Sequence, residues 1–244
     1  MVTAATDIAG LRQLWKLAFG DTEEFLDSFF ETAFSPERCL YIRLEERIAA
    51  ALYWFDCQYD GRKMAYVYAV ATHPEFRGRG LCRQLMGETH ALLEKRDYDG
   101  VLLVPQDMGL RKMYAAMGYR DATSVSEFTC EAGKPIALKE VNVQTYAVLR
   151  RRFLPEGSVL QEGENLRFLS SYAKFYTGAD FVAAVSGKQI VELLGNRDAA
   201  PGILSALGAM EGSVRMPGED IPYAMFLPLK TDVPVPTYFG FAFE

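Results

Sequence analysis

The run Tyr66-Val67-Tyr68-Ala69-Val70-Ala71-Thr72-His73-Pro74-Glu75-Phe76-Arg77-Gly78-Arg79-Gly80-Leu81-Cys82-Arg83 decides how this chain is read. Its first seven residues are aromatic, β-branched or small, the composition of a buried strand. Pro74 lacks an N–H and ends the ladder. Arg77-Gly78-Arg79-Gly80 is a tight turn. Behind it Leu81, Leu85, Met86, Leu92 and Leu93 form a helical stripe closed by Lys95-Arg96, cations suited to a helix C-terminus. The first amides of a helix have no intrahelical acceptor, and the helix dipole adds positive charge there. Glycine at 78 and 80 opens those amides to a phosphate. No acid stands between Glu75 and Glu88, while Arg77, Arg79 and Arg83 do. The segment therefore reads as a local anion site; a solvated strand–helix turn is the plainer alternative.

Upstream, Leu11, Leu14, Trp15 and Leu17-Ala18 follow helical spacing, and Gly20 stops the run. A second helix starts at Asp21-Thr22-Glu23-Glu24 with Phe25, Phe29 and Phe30 on its apolar face. Leu40, Ile42 and Leu44 then alternate with polar residues as a strand does. Glu45-Glu46-Arg47 turns into Ile48–Phe55, and Asp60-Gly61 signals a hairpin into Met64–Thr72. Downstream, Val101-Leu102-Leu103-Val104 is a central-strand candidate. Leu110, Met113, Tyr114 and Met117 make a last helix that ends at Gly118, and Ser124–Cys130 makes one more strand. The order αα-βββ-α-β-α-β predicts an α/β fold, one mixed sheet with flanking helices.

Glu131-Ala132-Gly133-Lys134-Pro135 is the best boundary, giving domains at 1–131 and 138–244. The second half echoes the first. Phe25–Phe30 resembles Phe168–Ala173, Ile48 and Leu52 match Ile190 and Leu194, and Cys39–Leu44 matches Phe181–Val185. These echoes predict a duplicated fold with a degenerate second copy. Its counterpart of the glycine turn, Asn196–Gly202, lacks the paired glycines, so no second cofactor is expected there.

Of 244 residues, 50% are hydrophobic, which excludes a wholly disordered chain. Twenty-six cations against 32 acids give a net charge of −6, which argues against nucleic acid or an anionic membrane as partner. Cys39, Cys57, Cys82 and Cys130 contain no C-x-x-C pair, and only His73 and His90 add to them. No metal site and no disulfide framework are expected. Without a signal-peptide pattern or a membrane-length apolar run, a cytoplasmic location is expected. Nothing in the sequence specifies an oligomeric state.

Arg77-Gly78-Arg79-Gly80-Leu81-Cys82 resembles the [R/Q]-x-x-G-x-[G/A] acyl-CoA motif of the GNAT N-acetyltransferase superfamily, differing in its last residue. Val70–Phe76 resembles that family's strand-to-loop lead-in. Leu110–Tyr119 resembles its second signature, a Tyr on a helix that ends in Gly-aromatic. The likeness covers about 40–130, and the two-copy organisation is similar to tandem GNAT proteins, distantly the Eis type. It implies acetyl-CoA, or another acyl-CoA, as cofactor. The diphosphate would lie on amides of Arg77, Gly78, Arg79, Gly80, Leu81, Cys82 and Arg83. Pantetheine would pair beside Val70, Ala71 and Thr72, and the thioester would lie against Tyr68-Ala69-Val70, where an amide stabilises the oxyanion. The implied reaction is direct attack of a primary amine on the thioester, with Tyr114 as general acid; a packing tyrosine is the commoner fate of such a residue.

Two departures stand out. Cys82 replaces Gly or Ala, and Asp107 stands where many relatives carry a cofactor-binding Asn; helix packing and an N-cap account for them. Met64–Thr72 carries no carboxylate, so the general base is open among a water chain, Asp56 and the carboxylate of Glu244. The aromatic-rich tail Tyr238–Glu244 alternates like a terminal strand. Phe29, Tyr53, Tyr66 and Tyr68, with Phe30 and Trp54, are candidates to line the acceptor cleft. Arg150-Arg151-Arg152 reads as a solvated helix face, with a contact to an acidic substrate or the cofactor's 3′-phosphate as the alternative. The implied acceptor is a small-molecule or peptide amine. The competing reading is a non-catalytic acyl-CoA-binding or regulatory protein that lacks a base.

Overall fold

The computed structural model describes residues 2–4 and 6–243. The first elements are β1 (Val2–Ala4), α1 (Ile8–Phe19), α2 (Glu23–Thr32), β2 (Cys39–Leu44), β3 (Arg47–Tyr59), β4 (Arg62–Thr72), α3 (Leu81–Lys95), β5 (Gly100–Leu103), α4 (Met108–Ala115) and β6 (Arg120–Asp121). The next are β7 (Ser124–Glu131), β8 (Lys139–Val141), α5 (Val143–Phe153), α6 (Glu164–Leu169), β9 (Lys174–Thr177), β10 (Phe181–Ser186), β11 (Gln189–Gly195), α7 (Ala200–Ala206), β12 (Glu211–Pro217) and β13 (Ile221–Pro222). A last strand, β14, spans Met225–Pro228.

The chain divides into two compact units, 1–120 with 225–234, and 121–224 with 235–244. The first holds a seven-stranded sheet ordered β1-β2-β3-β4-β5-β14-β6, the second one ordered β13-β7-β12-β11-β10-β9-β8. Read from β8, the second sheet repeats the first, with a parallel pair, β11–β12, matching β4–β5. The fold is α/β and duplicated. Two details of the sequence reading change. The topology matches β10 with β3 and β11 with β4, whereas the echoes align Phe181–Val185 with β2 and Ile190–Leu194 with β3, one strand out. And β7, expected in the one sheet of the first half, pairs with β12 in the second sheet, while β14 takes the equivalent place beside β5. Either strand satisfies the same alternation of buried and exposed positions, so pattern alone does not choose its sheet.

Tight turns build the first unit's meander. Glu45 and Glu46 have φ of 49° and 64°, and Asp60 and Gly61 have φ of 48° and 70°, the left-handed pairs that match strand twist in a hairpin. Alternation on β3 then separates two cores. Leu52 and Trp54 join Val67, Leu85, Met86 and Val101 under α3. Tyr53 and Phe55 face α1 and α2, where Trp15 and Phe29 lie 4.7 Å apart between ring centroids. Leu17 departs from the expected helix stripe: it is 49% exposed.

In the second unit, Tyr238–Phe243 is not a strand, contrary to its alternation; only Tyr238 makes an isolated bridge, to Ser158. The segment is nonetheless buried, because Gln161 substitutes for a partner strand, accepting from Gly240 N and Phe241 N and donating to Phe241 O. Arg150 departs from the solvated-face reading: it is 1% exposed and paired with Glu192, while Arg151 is exposed. No described helix is long and apolar enough to cross a membrane. Among the described residues no group of His, Cys, Asp and Glu is placed to hold a metal.

Candidate active site

The site is built on a break in the first sheet. β4 pairs with β5 only at Met64, Ala65 and Tyr66. β4 runs on to Thr72, so Val67–Thr72, roughly 20 Å of strand, extends beyond that pairing. On its other side β4 stays with β3, but irregularly: Ala51 pairs with Ala71 and Tyr53 with Tyr68, so Ala69 and Val70 together oppose Leu52. Ala69 has φ 49°, a left-handed conformation that an L-residue adopts only under constraint. This is a β-bulge, a device that re-aims backbone groups beside active sites. Tyr68, Ala69, Val70 and Thr72 are half-buried along this edge, and Ala71 is buried.

The strand leads into the Gly/Arg turn. Phe76, 2% exposed, anchors the turn, and His73 N donates to Ala49 O at 2.9 Å. Gly78 and Gly80 have φ of 74° and 76°, and a Cβ on either would project into open space with nothing within 4 Å. Gly80 caps α3 without a side-chain hydrogen bond, and the first helical bond runs from Gln84 N to Gly80 O at 3.0 Å. The amides of Leu81, Cys82 and Arg83 thus begin the helix without intrahelical acceptors. The arginines curl over this surface: Arg77 Nε donates to Thr72 O at 3.2 Å, Arg79 Nη2 to Glu75 O at 3.3 Å and Arg83 Nη1 to Ala116 O at 3.3 Å.

Tyr114 is 6% exposed on the inner face of α4 and packs edge-on to Tyr119, 5.8 Å between centroids. Burial, then the neighbouring Cys82 thiol, raises its pKa above the ordinary phenol range. The Cys82 thiol is itself pushed up by burial, as an inert packing residue should be. Tyr119 Oη lies 2.8 Å from His90 Nε2, and burial lowers His90 to about 4. Asp107 caps α4, accepting from Leu110 N at 2.7 Å.

On the opposite face of the sheet, Leu11, Leu14, Trp15 and Phe19 of α1 and Tyr53 close around a narrow crevice, too tight for a water molecule in this structure, with the three alanines Ala51, Ala69 and Ala71. Of the expected acceptor-cleft residues, Tyr53 and Ala69's neighbour Tyr68 border this region, Phe29 packs behind Tyr53, and Tyr66 stacks on Phe55 farther along β4. Trp54 points to the other core. Asp56 lies four residues along β3 from Leu52, roughly 13 Å, and is bound by Tyr98 Oη with Arg38 at 3.6 Å. It is therefore not placed beside the bulge. Glu244 lies outside the described residues. Trp15 and the bulge were not visible as site features: Trp15 reads as one more apolar helix residue, and a bulge at Ala69 has no residue signal of its own.

The model of the acetyltransferase (GNAT) domain matches residues 2–122. That segment belongs to the GNAT acetyltransferase family. The whole chain is similar to a GCN5-related N-acetyltransferase from Anabaena variabilis ATCC 29413, at 16% identity and a TM-score of 0.72, covering 94% of this chain and 73% of that one. It is similar to Eis1 from Mycobacterium abscessus at 13% identity and a TM-score of 0.66, covering 94% and 73%. A tandem GNAT protein from the clavulanic acid biosynthesis pathway matches at 15% identity and a TM-score of 0.59, covering 96% and 99%. At these identities the likeness is one of fold. No curated protein matches the sequence significantly.

GNAT domains bind acyl-CoA, and the residues of this GNAT site fit one. The turn at Gly78 and Gly80 leaves open the space that side chains would fill, above uncapped helix amides. The part of β4 that runs past β5 offers main-chain groups to an extended arm.

Proposed function

We propose that the first unit is an N-acyltransferase that uses acetyl-CoA or another acyl-CoA and a primary amine, with direct attack of the amine on the thioester. The observation that carries this reading is the succession of three features along one stretch of chain: a β4 edge that runs past β5, a bulge at Ala69, and an uncapped, glycine-framed start of α3. The cofactor supplies an acyl group already activated as a thioester. Amides from Arg77 to Arg83 hold its diphosphate, and Arg77, Arg79 and Arg83 add charge. Val70, Ala71 and Thr72 orient the arm. The bulge aims backbone at the place where negative charge develops. Tyr114, kept protonated by burial, holds its proton at Oη and donates a hydrogen bond to the departing sulfur. Its raised pKa makes complete proton transfer to a thiolate of ordinary pKa near ~8.5 uphill, so hydrogen bonding is its main contribution.

The crevice beside Ala69 has no carboxylate in its lining, which favours a second reading, acyl-CoA binding without turnover. Titration calorimetry with acetyl-CoA, run beside a thiol-release assay on a panel of amines, separates the two. Binding with amine-dependent release supports the transferase. Binding with no release on any amine supports the binding protein, and no binding removes both.

A further inference from the structure

A residue that lines the crevice beside the bulge carries a polar atom with no partner among the described residues. Tyr53 is 3% exposed, and its Oη is buried without a hydrogen-bond partner. A buried hydroxyl left unbonded is destabilising, and such groups in native proteins call for an explanation. Packing does not supply one. The Tyr53 ring lies 5.1 Å from Trp15 and 5.1 Å from Phe29, contacts that phenylalanine would make equally well. The hydroxyl is surplus to the fold.

Its position is informative. Leu52, opposite the bulge, faces the α3 core, so Tyr53 faces the other side, toward α1. On the reading above, the cofactor reaches the bulge from the α3 side. The α1 side of Ala69 is then left for the acceptor. The crevice there is lined by aliphatic and aromatic side chains with no charged group among them. Phe19, at the end of α1, is 38% exposed and packs edge-on to Trp15 at 5.9 Å, and its displacement would open the crevice to an entering group.

We propose that Tyr53 determines acceptor specificity: its phenol oxygen accepts a hydrogen bond from the acceptor amine, and the uncharged walls select an amine carried on an apolar or aromatic body. A polycationic amine would have to desolvate further ammonium groups against a lining that holds no carboxylate, which is unfavourable. This inference rests on the transferase reading, and its test is arranged so that the two fail differently.

The experiment compares the full chain with Tyr53→Phe, measuring melting temperature, acetyl-CoA affinity, and kcat and KM for 2-phenylethylamine and spermidine. The parent protein is expected to use 2-phenylethylamine at the lower KM. Tyr53→Phe is expected to melt at the same or a higher temperature, to bind acetyl-CoA as before, and to raise the KM for 2-phenylethylamine roughly ten-fold, the value of one hydrogen bond. An unchanged KM in an active Tyr53→Phe protein overturns the inference and leaves the transferase standing, as does a preference for spermidine. A parent protein that binds acetyl-CoA but releases no thiol with any amine overturns the transferase reading and this inference with it.

Discussion

Arg150 and Glu192 are buried against each other, with Nε 2.7 Å from Oε2 and Nη2 2.8 Å from Oε1. Tyr146 and Tyr238 donate to the same carboxylate at 2.8 and 3.1 Å. The pair ties α5 and β11 to the segment after Val235. Removing one partner leaves the other charge buried and uncompensated, so Glu192→Gln should destabilise the second unit by about 3–5 kcal/mol. Urea unfolding with hydrogen exchange on β11 measures it. A loss below about 1 kcal/mol would show that the network is not what holds this unit.

Gly80→Ala tests the anion site. The substitution forces a side chain into the left-handed region, at about 1–2 kcal/mol, and places a methyl group in the space above the α3 amides. Acetyl-CoA affinity should fall by about ten-fold or more, beyond any change in melting temperature. Calorimetry that finds the parent's affinity would move the cofactor elsewhere.

Tyr114→Phe, which removes a hydrogen-bond donor from the developing thiolate, should lower kcat by roughly 100-fold with little change in acetyl-CoA affinity. Because burial holds the phenol above its ordinary pKa, Tyr114 stays protonated through neutral pH and produces no limb in the rate profile there. An unchanged kcat would reduce Tyr114 to a packing residue.

His90 makes stability depend on pH. Burial lowers its folded pKa to about 4 from 6.5, so the unfolded chain binds more protons between these values. The contribution is fully present above pH 6.5 and is lost as pH falls toward 4, on the order of 3 kcal/mol. His90→Gln should flatten the slope of melting temperature against pH in that window. A slope unchanged by the substitution would assign it to other groups.

Much of the first unit was legible because its signals are local. Asp60-Gly61 encodes its own hairpin, Thr22 and Asp107 their own helix caps, and Gly78 and Gly80 the left-handed turn before α3. Even the GNAT likeness rests on residues close in sequence. The exchange of β7 and β14 between sheets was not legible, since Phe226 meets Leu102 and Val214 meets Phe128 across long stretches of chain. Nor was the fate of Arg150, because one arginine of three is buried only where Glu192 is folded against it.

By itself, then, the sequence determined most elements of the first unit, their turns and the glycine-framed helix start, all set by backbone preferences of neighbouring residues. The tertiary structure alone decided which strands share a sheet, where β4 parts from β5, and that Ala69 bulges against Leu52. The physical reason is that a strand's alternation specifies a buried face but not a partner, and strain at a single alanine is sustained only by the contacts that surround it.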